Sequence, residues 1–347
     1  MTTATTPAFA AKMKLSKPNE STTMQAILQS HYGDESTLSI GETNKPTPAK
    51  GEVLVKVKAA SLNKGDWHMM TGKPYMVRMM AGLRKPKHAV PGQEFAGVVE
   101  ACGEGVSEFQ VGDEVFGEAT HGAFAEYVCV PATRIAHKPS SASFEQAAAL
   151  PSGAITALQG LRDTAAIKQG DNVLIIGASG GVGIFALQLA KHLGASVSAV
   201  CSAKNADLVR SLGAQEVIDY AKEDFAQLGK RFDVILDLSG RRSLRDMRKA
   251  LAPRGTLVAC AASGGAVLGP IPRIFSMMFR SMLSKHTLTT FFAEPNTKDL
   301  EHIATLFESG ELTPVISRTL TLDQIPQGMR ELGTGHCRAK LCVSMED

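Results

Sequence analysis

Asn172-Val173-Leu174-Ile175-Ile176 runs directly into Gly177-Ala178-Ser179-Gly180-Gly181-Val182-Gly183, and that loop opens onto Ile184–Leu193, which is apolar at helical spacing. The order matters more than the glycines do. A buried strand, a tight glycine turn and a helix N-terminus in succession form a cradle where backbone N–H groups approach a pyrophosphate, whose charge the helix end favours. The segment therefore predicts the first strand, loop and helix of a dinucleotide-binding unit. Two other readings compete: a plain strand-to-helix turn, and the similar turn that methyltransferases use for a cofactor without pyrophosphate.

Downstream, the alternation continues. Ser196–Val200 reads as a strand, Ala206–Leu212 as a helix, Glu216–Asp219 and Val234–Leu238 as strands, Leu244–Leu251 as a helix and Gly255–Ala259 as a closing strand. Repeated βαβ units of this spacing predict a doubly wound parallel sheet, an α/β Rossmann-type domain. The chain is expected to leave that sheet through Pro270–Lys285 and to return to β-like sequence at Pro314–Leu320 and Ala339–Val343.

Upstream the pattern differs. Met24–Leu28, the period-2 run Glu52–Ala60, Val98–Glu100, Glu114–Phe116 and Ala123–Val130 are short strands punctuated by glycines, which predicts a twisted, partly closed barrel. Phe144–Gln159 has helical spacing interrupted at Pro151. These changes divide the chain into a leader at 1–23, a β-rich domain at 24–150 completed by 311–347, and a nucleotide-binding domain at 151–310.

Composition narrows the function classes. The chain has 347 residues, 44% hydrophobic and 20% charged, with a net charge of +3, and so suits an ordinary two-domain globular protein rather than a nucleic-acid arm. Aromatics are 5%, with one Trp, too few for a base-stacking platform. The six cysteines form no C-x-x-C pair and read as reduced, buried thiols of a cytoplasmic-type compartment. No uninterrupted 18-residue apolar run occurs, so no membrane span is expected. The Thr-, Ala- and Lys-rich leader lacks the apolar core of a secretory signal; an organelle transit peptide is the alternative reading.

The end of the second strand decides the cofactor's phosphate. An NAD enzyme places Asp or Glu there for the free ribose 2′-hydroxyl. Here stand Cys201, Ser202, Ala203, Lys204 and Asn205. The absence of an acid, beside a hydroxyl, an ammonium and an amide, favours NADPH.

Further markers then stand in order: Ser61-Leu62-Asn63-Lys64-Gly65-Asp66, Pro91-Gly92-Gln93-Glu94-Phe95-Ala96-Gly97, Val111-Gly112-Asp113-Glu114-Val115-Phe116-Gly117, Gly122-Ala123-Phe124-Ala125-Glu126-Tyr127, the Ala147–Ala157 run, and Leu212-Gly213-Ala214 ahead of Ile218-Asp219-Tyr220. Over about 24–347 the chain resembles the medium-chain dehydrogenases/reductases, in their zinc-free quinone oxidoreductase branch. The Trp67 context and Gly335-His336 are most similar to the chloroplast-envelope quinone oxidoreductase and alkenal/enone reductase group. The resemblance implies a GroES-like catalytic domain joined to the Rossmann domain. Zinc alcohol dehydrogenases have Cys near the position of Asn63 and His at that of Gln93; neutral Asn and Gln are not zinc ligands, so no metal is expected. Without a Lewis acid, reduction of an already electrophilic carbon is the natural chemistry.

By the same resemblance, Thr156 touches the nicotinamide, Gly180, Gly181 and Val182 the pyrophosphate, and Ser202, Lys204 and Tyr220 the 2′-phosphate. Asn63 and Asp66 line the nicotinamide end, Asp66 having a turn-cap as its rival role, and His68 or Tyr75 stands as proton donor. The expected activity is NADPH-dependent reduction of quinones or α,β-unsaturated carbonyls. The alternative is a noncatalytic NADPH-binding regulator or membrane-associated scaffold of the same fold. Met76–His88 and Ile274–His286 mix Met and Phe with cations, suiting an apolar substrate pocket, peripheral membrane contact or packing between domains or subunits. A homodimer is a further option.

Overall fold

The computed structural model describes residues 22–260, 269 and 271–345. Nearly all of the expected leader lies outside the described residues.

The nucleotide-type sheet has six parallel strands. Numbered along the chain as Asn172–Ile176, Ser196–Cys201, Glu216–Asp219, Phe232–Asp237, Leu251–Ala259 and Thr287–Thr290, they lie in the order 3-2-1-4-5-6. Val173, Leu174 and Ile175 are fully buried, as a central parallel strand covered on both faces requires. The strand order reverses beside Asn172–Ile176, so the crevice at this strand's carboxyl end, where Gly177–Gly183 begins, is the place such sheets bind ligands.

Thr287–Thr290 departs from the sequence expectation. The chain forms the helix Ile271–Met282 and then rejoins the sheet, Thr256 to Ala259 pairing with Thr287 to Thr290. Four residues, three of them Thr, at a sheet edge carry no apolar run by which to be recognised.

The second sheet has seven strands. Its main path runs Ile316–Leu320, Lys340–Ser344, Glu52–Leu62, Glu94–Cys102, Glu114–Glu118 and Ile135–His137, with Tyr127–Pro131 pairing separately with Glu52–Leu62. Ala123–Glu126, expected as strand, instead meets Thr23–Gln29, which pairs antiparallel with Leu38–Asn44: Ile27 N–H donates to the Phe124 carbonyl at 2.9 Å and Ala26 bridges Ala125. Register is the important consequence. Leu341 lies opposite Leu62, and Ser61 opposite Glu94, so the start of one strand, the end of the next and the start of the third bring Lys340, Asn63 and Glu94 to one edge.

Between the sheets, the expected single helix is two. Ser143 caps Phe144–Ala148 by accepting from Gln146 N–H at 3.2 Å, and Pro151, which lacks an N–H, starts Pro151–Leu158. Ala147, Leu150, Ala154, Ile155 and Leu158 pack with Ala59 and Phe116 of one sheet and Val173 and Ile175 of the other, so both sheets share a core around this segment.

Candidate active site

At that shared edge sits a buried polar junction. Lys340 Nζ donates to Asn63 Oδ1 at 2.8 Å and to Glu94 Oε2 at 2.5 Å. The Lys340 and Glu94 side chains are 1% and 0% exposed. The other Glu94 oxygen accepts the Ser152 N–H at 2.6 Å, at the start of Pro151–Leu158, where a carboxylate also complements the helix dipole. Asn63 is the N-cap of Lys64–Thr71, and its N–H donates to Asp66 Oδ2 at 2.9 Å. Asp66 thus fills the turn-cap role while remaining wholly buried.

This junction reaches the glycine loop. A Cβ on Gly181 would stand 3.4 Å from Lys340 Cδ, and Ala339 N–H donates to the Ser179 carbonyl at 2.8 Å. Ala339 holds φ at +53°, a left-handed conformation that a residue with a Cβ adopts only where the surroundings impose it. Within the loop, Gly183 is fixed by contact: a Cβ there would lie 2.5 Å from the Gly177 and Ala178 carbonyl oxygens. Gly180 N–H turns to the Gly177 carbonyl at 3.1 Å, whereas the N–H groups of Gly181 and Val182 have no acceptor among the described residues. Free N–H groups ahead of Gly183–His192 are what an anionic phosphate needs, so the loop fits a dinucleotide.

Charge is concentrated here. Burial, with the Glu94 carboxylate adding repulsion, pushes the Asp66 carboxyl up to about 8 against the pull of the Asn63 amide. Burial and then Glu94 push Glu118 up to about 7, although Arg134 Nη2 lies 3.6 Å from Glu118 Oε1. At neutral pH Asp66 therefore holds a proton inside the junction. Among the described residues no group of three His, Cys, Asp or Glu is arranged to hold a metal ion.

At the far end of the loop, Asn205 Nδ2 donates to Ser179 Oγ at 2.9 Å and to Ser202 Oγ at 3.3 Å. Ser202 is thereby tied to the loop. Lys204 is exposed, and Tyr220, 58% exposed, follows the third strand with its N–H on the Cys201 carbonyl at 3.2 Å. Thr156 is half-buried, one turn beyond Ser152.

His68 and Tyr75 do not hydrogen-bond to the junction. The His68 Nδ1–H donates to the Lys73 carbonyl at 2.7 Å, and burial holds the ring's pKa below the ordinary histidine value. In that neutral tautomer Nε2 accepts rather than donates. Tyr75 is 45% exposed, and the Arg78 guanidinium lies 4.7 Å from its ring centre. Sequence reasoning missed Lys340, Glu94, Ser152 and Ser179 as site residues, whereas it does place Asn205 beside Ser202 and Lys204 at the 2′-phosphate. The available signal was Lys340 itself, a cation opening the apolar run Lys340–Val343, which demands a buried partner.

Residues 212–343 match the family described as zinc-binding dehydrogenase, and residues 49–140 the alcohol dehydrogenase GroES-like domain. Quinone-oxidoreductase QR1, chloroplastic, of Triphysaria versicolor is 32% identical over 333 residues, 92% of this chain and 98% of the relative. The mitochondrial NAD(P)H oxidoreductase RTN4IP1 of Mus musculus is 34% identical over 360 residues, covering 94% and 90%. The 2-methylene-furan-3-one reductase of Solanum lycopersicum is 33% identical over 344 residues, covering 95% and 80%. Among solved structures, the quinone oxidoreductase from Coxiella burnetii superposes with a TM-score of 0.84 at 30% identity, covering 93% of this chain and all of that one.

Proposed function

Because this chain belongs to the medium-chain dehydrogenase/reductase superfamily, as one of its quinone oxidoreductase-like members, we propose that it is a zinc-independent, NADPH-dependent reductase of quinones or α,β-unsaturated carbonyls. The observation that carries the proposal is the meeting of the glycine loop with Lys340, which in turn holds Asn63, whose buried Nδ2 has no hydrogen-bond partner. A noncatalytic scaffold has no use for an orphaned donor at the nicotinamide end. The relatives named as quinone oxidoreductase and as furanone reductase support the substrate class.

NADPH, when bound, supplies the hydride. In this reading Gly180, Gly181 and Val182 hold the pyrophosphate and Thr156 flanks the nicotinamide. Ser202, Lys204 and Tyr220 surround the 2′-phosphate. Hydride addition to the carbon conjugated with a carbonyl moves the π pair onto oxygen, and donors of the site take up that charge. Solvent delivers the proton, since His68 is neutral with its Nδ1–H already hydrogen-bonded to the Lys73 carbonyl. Zinc-independence is supported by chemistry: Asn63 Oδ1 and Glu94 Oε2 both accept from the Lys340 ammonium.

Partners follow the same reading: a small quinone or enone, with peripheral membrane contact at the exposed apolar residues around Ile271–Met282. The relatives named chloroplastic and mitochondrial support the organelle alternative over a cytoplasmic location. The test is NADPH oxidation against quinone and enone panels, with Ser202→Asp as the cofactor probe. A carboxylate beside the 2′-phosphate is expected to weaken NADPH and relatively favour NADH. Deuterium from C4-labelled NADPH is expected on the β-carbon of a reduced enone. Rapid oxidation of saturated alcohols without reduction of any quinone or enone overturns the assignment.

A further inference from the structure

We propose that Lys340 is a positioning residue: it holds the Asn63 carboxamide in one orientation with its NH2 left unpaired, so that Asn63 donates to the carbonyl oxygen of the substrate as that oxygen gains charge.

The orientation follows from donor arithmetic. An ammonium only donates, so the Asn63 atom 2.8 Å from Lys340 Nζ is the amide oxygen. The amide is rigid, and fixing its oxygen fixes its nitrogen. Nδ2 is then left buried with no partner. A buried N–H donor that pairs with nothing in the protein costs stability, and such an atom in a native site calls for an acceptor that arrives with the ligand.

The surroundings keep the amide from turning over. Flipping Asn63 would aim an NH2 at Lys340 Nζ, donor against donor. Lys340 itself cannot drift, since Glu94 Oε2 takes another of its protons and the Glu94 carboxylate is held in turn by Ser152 N–H. Ala339, in its left-handed conformation and bonded to the Ser179 carbonyl, fixes where the lysine leaves the backbone. The ammonium also places positive charge one amide away from the oxygen that becomes negative.

This inference rests on the proposed reductase reading, and two sources offer an acceptor at that place: the substrate's carbonyl or the cofactor's carboxamide. Asn63→Asp keeps an oxygen toward Lys340 and replaces the NH2 with a second acceptor. Lys340→Met/Glu94→Gln removes both buried charges together, keeps an acceptor for Ser152, and takes away the ammonium that holds the Asn63 amide. Both variants are expected to lose kcat by about 10²-fold, the effect of losing one donor to a developing oxyanion, with NADPH affinity by fluorescence titration unchanged. A second readout needs no turnover. 4-Nitrophenol bound beside the donor is expected to titrate at a lower pH than the free phenol in the wild-type protein, seen as the phenolate absorbance, and to lose that shift in both variants. Loss of NADPH affinity with kcat retained overturns the proposal in favour of the cofactor. Unchanged kcat and phenolate titration overturn it altogether. If the wild-type protein reduces no quinone or enone while the phenolate shift is present and Lys340-dependent, the reductase reading fails and the positioning role stands.

Discussion

Two regions invert the usual partition of residues. The junction of Lys340, Glu94, Asn63 and Asp66 puts charges where apolar side chains belong, whereas Phe275, Met278, Phe279, Met282 and Leu283, at 58–84% exposure, put apolar side chains in water. The first is held by specific bonds, with Asn63 Nδ2 left unpaired. The second is tied down by the anchor Met277, by Arg273, which pairs with Asp237 at 2.8 Å and donates to the Gly240 and Arg242 carbonyls, and by Ser281 Oγ, which accepts the Leu288 N–H. A protein keeps buried charge when geometry is the product, because paired charges resist displacement at a net cost in stability. It keeps exposed apolar surface when a partner completes the burial. The contrast predicts large folding effects at the junction and small ones on the helix.

The largest effect is expected from breaking the junction one-sidedly. Glu94→Leu leaves Lys340 buried without its carboxylate and should cost about 3–5 kcal/mol in urea unfolding. Lys340→Met/Glu94→Leu removes both charges and should recover most of that loss, leaving about 1 kcal/mol for the missing Ser152 bond. Equal losses in the single and double variants would show that the pair is not the coupled unit the geometry describes.

Gly153→Ala comes next. Its Cβ would stand 2.7 Å from the Gly181 carbonyl oxygen and 2.8 Å from Phe185 Cε2, so the helix Pro151–Leu158 must retreat from the glycine loop. Alanine gains about 1 kcal/mol of helix propensity, and the overpacking costs about 1–3 kcal/mol. Backbone cannot rotate aside, so the net change is destabilising, and NADPH binding weakens with it. A more stable variant with unchanged cofactor affinity contradicts this packing.

The junction also sets a pH dependence. From the ordinary carboxylate range up to about pH 8 the folded chain holds the Asp66 proton that the unfolded chain releases, so the unfolded state binds fewer protons and stability falls as pH rises. Glu118 adds the same sign up to about pH 7. Asp66→Asn, whose amide oxygen still accepts from Asn63, should flatten the decline between pH 5 and 9 in parallel denaturant melts. An undiminished slope removes Asp66 as its source.

The sequence is legible where one stretch suffices. Gly177–Gly183 declares itself because backbone demands are local, and the parallel strands do so because burial on both faces leaves dense apolar runs. Thr287–Thr290 escapes because an edge strand needs no such run. The junction escapes for a different reason: Lys340 meets Glu94 across 246 positions and Asn63 across 277, and a single chain does not state which of its carboxylates a buried lysine will find. The resemblance pointed to Asn63 and Asp66, but it did not point to Lys340, whose ammonium meets Asn63.

The smallest folding effect and the sharpest binding effect are expected together on the exposed helix. Gly269 packs on Pro74 and Met76, so Ile271–Met282 starts beside Val77–Ala81, where Met79 and Met80 are 75% and 80% exposed. Residues 76–88 and 270–286 carry Arg78, Arg84, Lys85, Lys87, Arg273, Arg280 and Lys285 without one carboxylate. Apolar side chains among cations suit an anionic lipid surface, and two copies of such a face repel each other. Phe279→Ser/Met282→Ser should change stability by no more than about 0.5 kcal/mol per site, since neither side chain is in the core. Each forfeits about 1.5–3 kcal/mol of burial if it enters lipid, so partition onto phosphatidylglycerol vesicles should fall at least about 100-fold in sedimentation assays. Wild-type binding should also weaken with salt and be poor on phosphatidylcholine. Equal binding to both lipids, or none to either, would leave the exposed helix without the partner its chemistry describes.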